Sequence, residues 1–224
     1  MQKFDTTAPV SAIIDIPAGH IRFIAADRTD TTVEVLPADA SKGRDVKAAE
    51  QTEVSYADGV LRVEIPGARS RGLGPSGSVD VTVRLPAGSR VEAKAAAAEF
   101  RGVGRLGEVT FEGGHRSVEL DEADSVRLTG LDADISVGRL HGPAEISTQK
   151  GDLTVSEAAG GTLTLSTQMG DITVGAAPGV SAVLDAGTTL GRISNSLTNT
   201  GATPGLTIHA TTAHGDITAR TVKG

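Results

Sequence analysis

Cysteine and tryptophan are absent from this chain of 224 residues, and its only aromatic residues are four phenylalanines and one tyrosine. The lack of cysteine excludes disulfide bridges, thiolate catalysis and Cys-ligated zinc. Because aromatic rings are so few, the core must be built from Val, Ile, Leu and Ala, which suits thin layers of stacked side chains. The 28 glycines and 9 prolines predict frequent turns.

Clustered basic residues and long apolar runs are also missing. The net charge is −7, and surfaces for nucleic acids or anionic membranes need clustered Lys and Arg. No stretch approaches the roughly 18 apolar residues of a membrane helix, and Met1–Val10 has no apolar signal-peptide core. We therefore expect a cytoplasmic protein with no nucleic-acid partner and no membrane insertion, although a non-standard export route stays open.

A decapeptide occurs twice in the second half of the chain. Residues 146–155 read ISTQKGDLTV and residues 165–174 read LSTQMGDITV, while a looser copy, TTAHGDITA, occupies residues 211–219. Self-similarity at a period of about twenty residues is typical of solenoids, in which each unit buries its apolar face against the next.

Apolar anchor residues recur at the same period. Their successive steps are 18, 17, 18, 19, 21 and 24 residues, and the anchors are Phe100, Val118, Ile135, Leu153, Ile172, Ile193 and Ile217. Short alternating runs lie between them, so each period holds two strands. The series predicts an all-β fold, a single-domain β-solenoid over residues 1–224 that stacks two-strand coils of about 18–24 residues at roughly 4.8 Å.

The first ninety residues follow a different pattern. Residues 53–65 predict a hairpin that turns at Asp58–Gly59, residues 39–51 a short helix, and residues 67–77 a loop. We expect this hairpin-rich portion, 1–90, to act as a cap that covers one open end of the regular coils, 91–224, because open ends expose unpaired backbone.

Two further segments depart from the regular pattern, and the first of them can be read as a helix or as a strand. Residues 92–100 are rich in alanine and have high helix propensity, but Val91, Ala93, Ala95 and Ala97 alternate, which favours a strand. Residues 195–204 contain the longest insertion of the regular series and predict an exposed loop.

A ladder of aspartates is the candidate metal site. Stacked coils would bring together Asp134, Asp152, Asp171 and Asp216, and such a ladder repels itself unless a cation or a hydrogen-bond donor intervenes. The calcium β-roll, however, needs Gly-Gly-x-Gly-x-Asp in every half-coil, whereas Gly-Asp occurs here once per coil. Arg192 would lie in the ladder between Asp171 and Asp216 and neutralise it.

The alternative is structural, and we favour it. Glycine at the turn takes a positive φ, and the aspartate that follows it caps backbone amides. The turn residues are then Gly151, Asp152, Gly170, Asp171, Gly191, Gly215 and Asp216. We expect no metal and no cofactor, with calcium at the ladder as the alternative.

Polysaccharide cleavage is the enzymatic alternative. Two carboxylates some 5–9 Å apart are required for it, and one turn carries Glu119, Asp121, Glu122 and Asp124, while Asp132 and Asp134 share a strand face. The coils are too short for a deep cleft, and aromatic platforms for sugars are nearly absent. An acidic turn is more often a solvated corner, so we expect no catalytic residues and no enzyme.

The remaining candidate functional residues are the histidines and two rows of hydroxyl side chains. The five histidines, His20, His115, His141, His209 and His214, fall in different periods without metal-ligand spacing, and a turn would bring only the last two together. One hydroxyl row consists of Ser136, Thr154, Thr173, Ser194 and Thr218, and another of Ser147–Thr148 and Ser166–Thr167. Stacked hydroxyls can offer an array to a ligand, but they more often fill strands and hydrogen-bond along the ladder.

The strand ends that read Leu-Pro-Ala-Gly and the repeats Ser-Thr-Gln-x-Gly-Asp-Ile-Thr-Val resemble a bacterial family, the β-strand-repeat proteins called "putative adhesins", of unknown function. The likeness covers essentially the whole chain and is to an actinobacterial-type member. It implies a single-domain β-solenoid and supplies no catalytic residues. The function expected is a non-enzymatic scaffold that binds a protein partner or self-associates through solenoid ends or faces. The alternatives are an exported adhesin or carbohydrate-binding protein and, behind these, a polysaccharide-active enzyme.

Overall fold

A computed structural model of the chain describes residues 1–66, 77–201 and 203–223. The chain is 67% strand and 4% helix, which confirms the predicted all-β class. It divides into two compact units, Met1–Ser117 and Val118–Gly224. The prediction of one domain that changes character at residue 90 stays a prediction.

Among its described residues, the first unit contains seven strands and one helix. The strands are β1 (Gln2–Asp5), β2 (Ser11–Ala26), β3 (Asp30–Pro37), β4 (Glu53–Ala57), β5 (Val60–Glu64), β6 (Val79–Pro86) and β7 (Arg90–Gly113), and the helix is α1 (Gly43–Gln51). The long strand β2 organises the unit, because it pairs in parallel with β7 on one side and with β5 and then β6 on the other. Its alternating apolar residues face the core, as the burial of Ile14, Ile21 and Phe23 shows.

The few aromatic rings of the chain lie in this first unit. Phe100 packs between Phe23 and Phe111, with ring centroids 5.7 and 5.0 Å apart, and all three side chains are buried. Phe4 and Tyr56 form a separate half-buried pair at 5.2 Å. No aromatic residue of the sequence is exposed, since all five are among the described residues.

Local predictions for this unit hold with one correction. The hairpin is formed by β4 and β5, Asp58 and Gly59 have positive φ as its tight turn requires, and α1 lies inside the predicted helical segment. The alanine-rich segment is a strand within β7, but its alternation slips by one residue, so that Ala98 rather than Ala97 is buried. The predicted loop 67–77 lies outside the described residues except at position 77.

The part of the second unit that the structure describes contains ten strands. They are β8 (Val118–Thr129), β9 (Ile135–Leu140), β10 (Ala144–Ser147), β11 (Leu153–Ala158), β12 (Gly161–Met169), β13 (Ile172–Ala176), β14 (Ala182–Leu190), β15 (Ile193–Ser196), β16 (Leu206–His214) and β17 (Ile217–Thr221). The first pairs are parallel and offset by 17 to 19 residues, as in Val118 with Ile135 and Leu153 with Ile172. A parallel register with this offset places the apolar anchors of successive turns of the chain above one another.

Strands of the second unit are joined two by two at sharp corners. We call each such pair a layer: β10–β11, β12–β13, β14–β15 and β16–β17. The layer β12–β13 pairs with β10–β11 on one side and with β16–β17 on the other. The layer β14–β15 pairs only with β16–β17 among the described strands.

The layers are therefore not stacked in the order of the sequence. The last layer of the chain, β16–β17, is inserted between β12–β13 and β14–β15, and β14–β15 lies at the end of the stack. The sequence series assumed consecutive stacking of Ile172, Ile193 and Ile217, which is wrong: Ile217 pairs with both Ile172 and Ile193.

Burial explains this order. Five apolar side chains of β16–β17 are at most 1% exposed, namely Leu206, Ile208, Ala210, Ile217 and Ala219. The end layer is more polar, with Asn195 beside Ala219 in a column that holds Val155 and Val174 in the layers before it. The chain thus places its more apolar layer inside. Ile193, predicted as a buried anchor, is 47% exposed because nothing described covers its outer side.

Candidate functional site

The corners of the second unit hold the predicted aspartate ladder. The amide N–H of Asp152 donates to Oδ1 of Asp134 at 2.9 Å, and that of Asp171 donates to Oδ1 of Asp152 at 2.8 Å. The ladder continues with the amide of Asp216, which donates to Oδ1 of Asp171 at 2.7 Å. Each carboxylate therefore accepts the backbone N–H of the residue above it, which is the donor that relieves repulsion between stacked carboxylates.

Arg192 ends this ladder instead of interrupting it. Its amide donates to Oδ1 of Asp216 at 2.9 Å, and its guanidinium lies 3.5 Å from Oδ2 of the same carboxylate. The sequence placed Arg192 between Asp171 and Asp216; that position is wrong, because the layer that carries Asp216 is inserted. The guanidinium cation therefore lies at the end of the ladder, beside its last carboxylate.

Glycine precedes the aspartate at these corners for a steric reason. Gly151 has φ +128° and Gly170 has φ +151°, a region that residues with a Cβ rarely adopt. A Cβ added at Gly170 would also collide with the carbonyl oxygen of Gly151 in the next layer, and one added at Gly151 would collide with that of Ala133. The close approach of the corners therefore depends on glycine.

Threonines fill the inner side of the same corners. Thr148, Thr167 and Thr212 are buried, and the hydroxyls of Thr167, Thr212 and Thr188 donate to the carbonyl oxygens of Gly151, Gly170 and Gly215 at 3.0 to 3.2 Å. The threonines of the predicted row Ser147–Thr148 and Ser166–Thr167 are thus turned inward, whereas Ser166 is exposed and its hydroxyl accepts a hydrogen bond from that of Thr211 at 3.3 Å. The other row, Ser136, Thr154, Thr173, Thr218 and Ser194 in spatial order, lies on the outside of the strands and is aligned by register.

The acidic cluster of β8 does not form a buried pair of carboxylates. Glu119 and Asp121 are exposed, and Glu122 and Asp124 are half-buried. Glu122 Oε1 lies 2.7 Å from Nε2 of His141. Asp132 and Asp134 are exposed too, and Asp132 lies 4.0 Å from the ammonium of Lys150. The acids from Glu119 to Asp124 therefore lie on strand β8 and not at a turn as predicted, and Asp132 and Asp134 lie between β8 and β9 instead of sharing a strand face.

One carboxylate that sequence reasoning missed is buried. Asp45, in the first turn of α1, is 3% exposed and is the one buried charged side chain among the described residues. Its Oδ1 accepts the amide N–H of Ser78 at 3.0 Å, and Arg44 Nε lies 3.6 Å from the same oxygen. The carboxylate of Asp45 thus links α1 to the segment before β6, which is a structural role. An acidic residue in a first helical turn was the available signal.

The histidines are spread over both units. His20 contacts Asp80 at 2.6 Å and Glu99 at 3.6 Å, and His209 contacts Asp185 at 3.3 Å. The predicted approach of His209 and His214 across a turn is wrong, because both lie on the single strand β16. Within the described ranges, no three His, Asp or Glu side chains are grouped so that they could hold a metal ion.

Calcium should therefore leave the stability of the protein unchanged. A cation that binds only the folded state at a hundred times its dissociation constant would stabilise it by about 2.7 kcal/mol. We expect the same melting temperature in millimolar calcium, in buffer alone and in chelator, measured by calorimetry. A rise with calcium that chelator reverses would show that the corner carboxylates bind the ion.

No helix in the described part of the chain is long and apolar enough to cross a membrane. No family model and no curated protein matches the sequence.

Solved structures give matches along the length of the chain. A "putative cell adhesion protein" from Clostridium sporogenes matches with TM-score 0.39 and 10% identity over 99% of each chain. A "putative adhesin" from Bacteroides fragilis matches with TM-score 0.49 and 13% identity, and one from Parabacteroides distasonis with 0.43 and 12%, each over 97% of this chain and 95% of the other. None of these is actinobacterial, so that part of the resemblance is unsupported.

Proposed function

We propose that this chain is a non-enzymatic β-solenoid scaffold that binds protein, including a second copy of itself, through the open end of its stacked layers. The observation that carries the proposal is the end layer β14–β15. Two of its apolar side chains are exposed, Leu190 at 62% and Ile193 at 47%. An apolar strand edge of this kind is a ready template for another chain.

The backbone of β14 supports the same interpretation. In a parallel sheet, alternate residues of a strand direct their N–H and C=O groups to opposite neighbours. The N–H of Ala182 points away from β16 and donates to the carbonyl of Thr198 at 3.1 Å. The backbone groups of Leu184, Ala186, Thr188 and Leu190 share that outward direction. These residues are in register with β16 on the inner side of β14, and no described strand pairs with β14 on its outer side.

Apolar surface extends from this edge along the corner row. Met169 and Leu190 both flank His214 in register, and Met169 is 54% exposed. The exposed apolar side chains of the corner and the unpaired backbone thus meet at one end of the unit. We call this surface, formed by Met169, His214, β14 and β15, the end surface.

The hydrogen bonds of the aspartates at the corners support the non-enzymatic part of the proposal. Oδ1 of each ladder aspartate from Asp134 to Asp216 accepts a backbone hydrogen bond, and each of these side chains serves the stacking of layers. The acids of β8 lie on an outer strand face rather than in a low-dielectric cleft, where general acids acquire their reactivity.

Sedimentation velocity over a wide concentration range tests this function. We expect the wild-type chain to associate reversibly and the double variant Leu190→Lys/Ile193→Lys to remain monomeric, because charges on a strand edge block edge-to-edge pairing. Leu36→Lys is the control, since Leu36 is 51% exposed but lies in the first unit; it should associate like the wild type. A wild-type chain that is monomeric throughout, or a double variant that still associates, would contradict the proposal.

A further inference from the structure

The inserted layer β16–β17 is held on both sides by strands that precede it in the sequence. On one side it pairs with β12–β13 over registers such as Ser166 with Thr211 and Ile172 with Ile217. On the other side it pairs with β14–β15, as in Leu184 with Ile208. Without β16–β17, the second unit would contain a slot between β12–β13 and β14–β15 with an unsatisfied strand edge on each wall.

The connection to the inserted layer is a single polar segment. Residues 197–205 join β15 to β16, and the described residues of this segment are exposed apart from Leu197, which is half-buried. Nine residues can span about 30 Å when extended. The segment is therefore long enough for β16–β17 to reach beyond its own slot. Leaving the slot breaks hydrogen bonds of this segment, from the Ala182 N–H to the carbonyl of Thr198 and from the Gly205 N–H to that of Ser181, and it frees β14–β15, which pairs only with β16–β17 among the described strands.

The slot is specific for the sequence that fills it. Its walls offer Oδ1 of Asp171 to the amide of Asp216 and the carbonyl of Gly170 to the hydroxyl of Thr212. On the far side, Thr188 donates to the carbonyl of Gly215 and the amide of Arg192 donates to Asp216. An occupant that makes these contacts carries threonine, glycine and aspartate at the spacing of residues 212–216 and brings apolar residues such as Leu206 and Ile208 into the core.

We propose that β16–β17 is an exchangeable layer: residues 206–221 of one chain fill the slot of a second copy, and the two copies form a reciprocal dimer. Every contact in the slot is then the contact seen within one chain, so exchange costs little beyond the conformation of residues 197–205. The strands on both sides of the slot, β12–β13 and β14–β15, come before β16–β17 in the sequence. When chains fold together at high concentration, these strands can pair with β16–β17 of either copy. This inference does not depend on the end surface, whose association is reversible and leaves each slot filled by its own chain.

Engineered cysteines test the exchange, and the natural absence of cysteine makes them the only thiols. Ser166→Cys/Thr211→Cys links β12 to the exchanged layer, because these residues are paired in register and their hydroxyls lie 3.3 Å apart. Ser147→Cys/Ser166→Cys is the matched control, since β10 and β12 stay in the same chain. Paired strands lie about 4.8 Å apart, within the usual Cα separation of a disulfide.

Each variant is unfolded in denaturant and refolded at low and at high concentration. Monomer and dimer are separated by gel filtration, oxidised, and run on a denaturing gel without reductant. We expect the fraction of dimer to rise with the protein concentration during refolding and the dimer to persist on dilution. The oxidised dimer of Ser166→Cys/Thr211→Cys should then run as a covalent dimer on the gel, and the oxidised dimer of the control should run as a monomer. A covalent monomer from the dimer of Ser166→Cys/Thr211→Cys, or no persistent dimer at any concentration, would overturn the proposal.

Wild-type chains give a second readout that needs no substitution. Tagged and untagged copies mixed as native proteins should not form mixed persistent dimers, whereas the same copies unfolded and refolded together should. Mixed dimers that form on native mixing and dissociate on dilution belong to the end surface and are removed by dilution before the readout. Persistent mixed dimers after native mixing, or none after joint refolding, would count against the exchangeable layer.

Discussion

Leu153→Glu is expected to prevent the second unit from folding. Leu153 is 1% exposed and packs between Ile135 and Ile172 in register. Its replacement removes a core leucine, which costs about 2–5 kcal/mol, and adds the burial of a carboxylate that has no partner in an aliphatic column. The sum, above about 5 kcal/mol, is comparable to the whole stability of a typical domain.

Ile193→Glu is the matched control, because the sequence assigns both residues to the same series of anchors. Ile193 is 47% exposed at the end of the stack, so this substitution should cost less than about 1 kcal/mol. Chemical denaturation followed by circular dichroism measures both variants. If Ile193→Glu unfolds the protein as severely as Leu153→Glu, or if Leu153→Glu melts like the wild type, the stacking described above is wrong.

Gly151→Ala is expected to destabilise the second unit by about 3 kcal/mol or more. The added Cβ would require an unfavourable φ of +128° and would collide with the carbonyl oxygen of Ala133. The layers would have to separate at that corner, which would also lengthen the hydrogen bond from Asp152 to Asp134.

Gly187→Ala provides the comparison for this substitution. Gly187 lies in β14 at the end of the stack, and an added Cβ would meet nothing within 4 Å. Alanine there should be neutral within about 0.5 kcal/mol or slightly stabilising, since it restricts the unfolded chain. Equal losses for the two variants in thermal and denaturant unfolding would mean that the corner does not require glycine.

The corner chemistry could be predicted from the sequence because it depends on neighbours along the chain. Glycine followed by aspartate at a turn has a local explanation, and the structure places Gly151 and Asp152 in that role. The strands, the hairpin at Asp58–Gly59 and the helix before β4 follow from alternation, turn residues and propensity in the same way.

The order of the layers could not be predicted from the period, because two segments of the chain match the period equally well. Gly191 and Gly215 both begin a corner, and either layer could in principle follow β12–β13. A signal was nevertheless present. Arg192 replaces the ladder aspartate and Asn195 replaces the core valine in the same layer, and both changes suit a layer that faces solvent on one side. Buried Asp45 was missed for a related reason, since its partner Ser78 lies 33 residues away.

Disulfide trapping tests the inserted layer most directly. In the structure Thr164 is paired with His209, and His209 is paired with Asp185 on its other side, so Thr164 and Asp185 lie two strands apart, about 9.6 Å. We predict that Thr164→Cys/His209→Cys forms a disulfide readily in the folded protein and that Thr164→Cys/Asp185→Cys does not. Efficient trapping of Thr164→Cys with Asp185→Cys, and none with His209→Cys, would show that the layers follow the order of the sequence and would contradict this account.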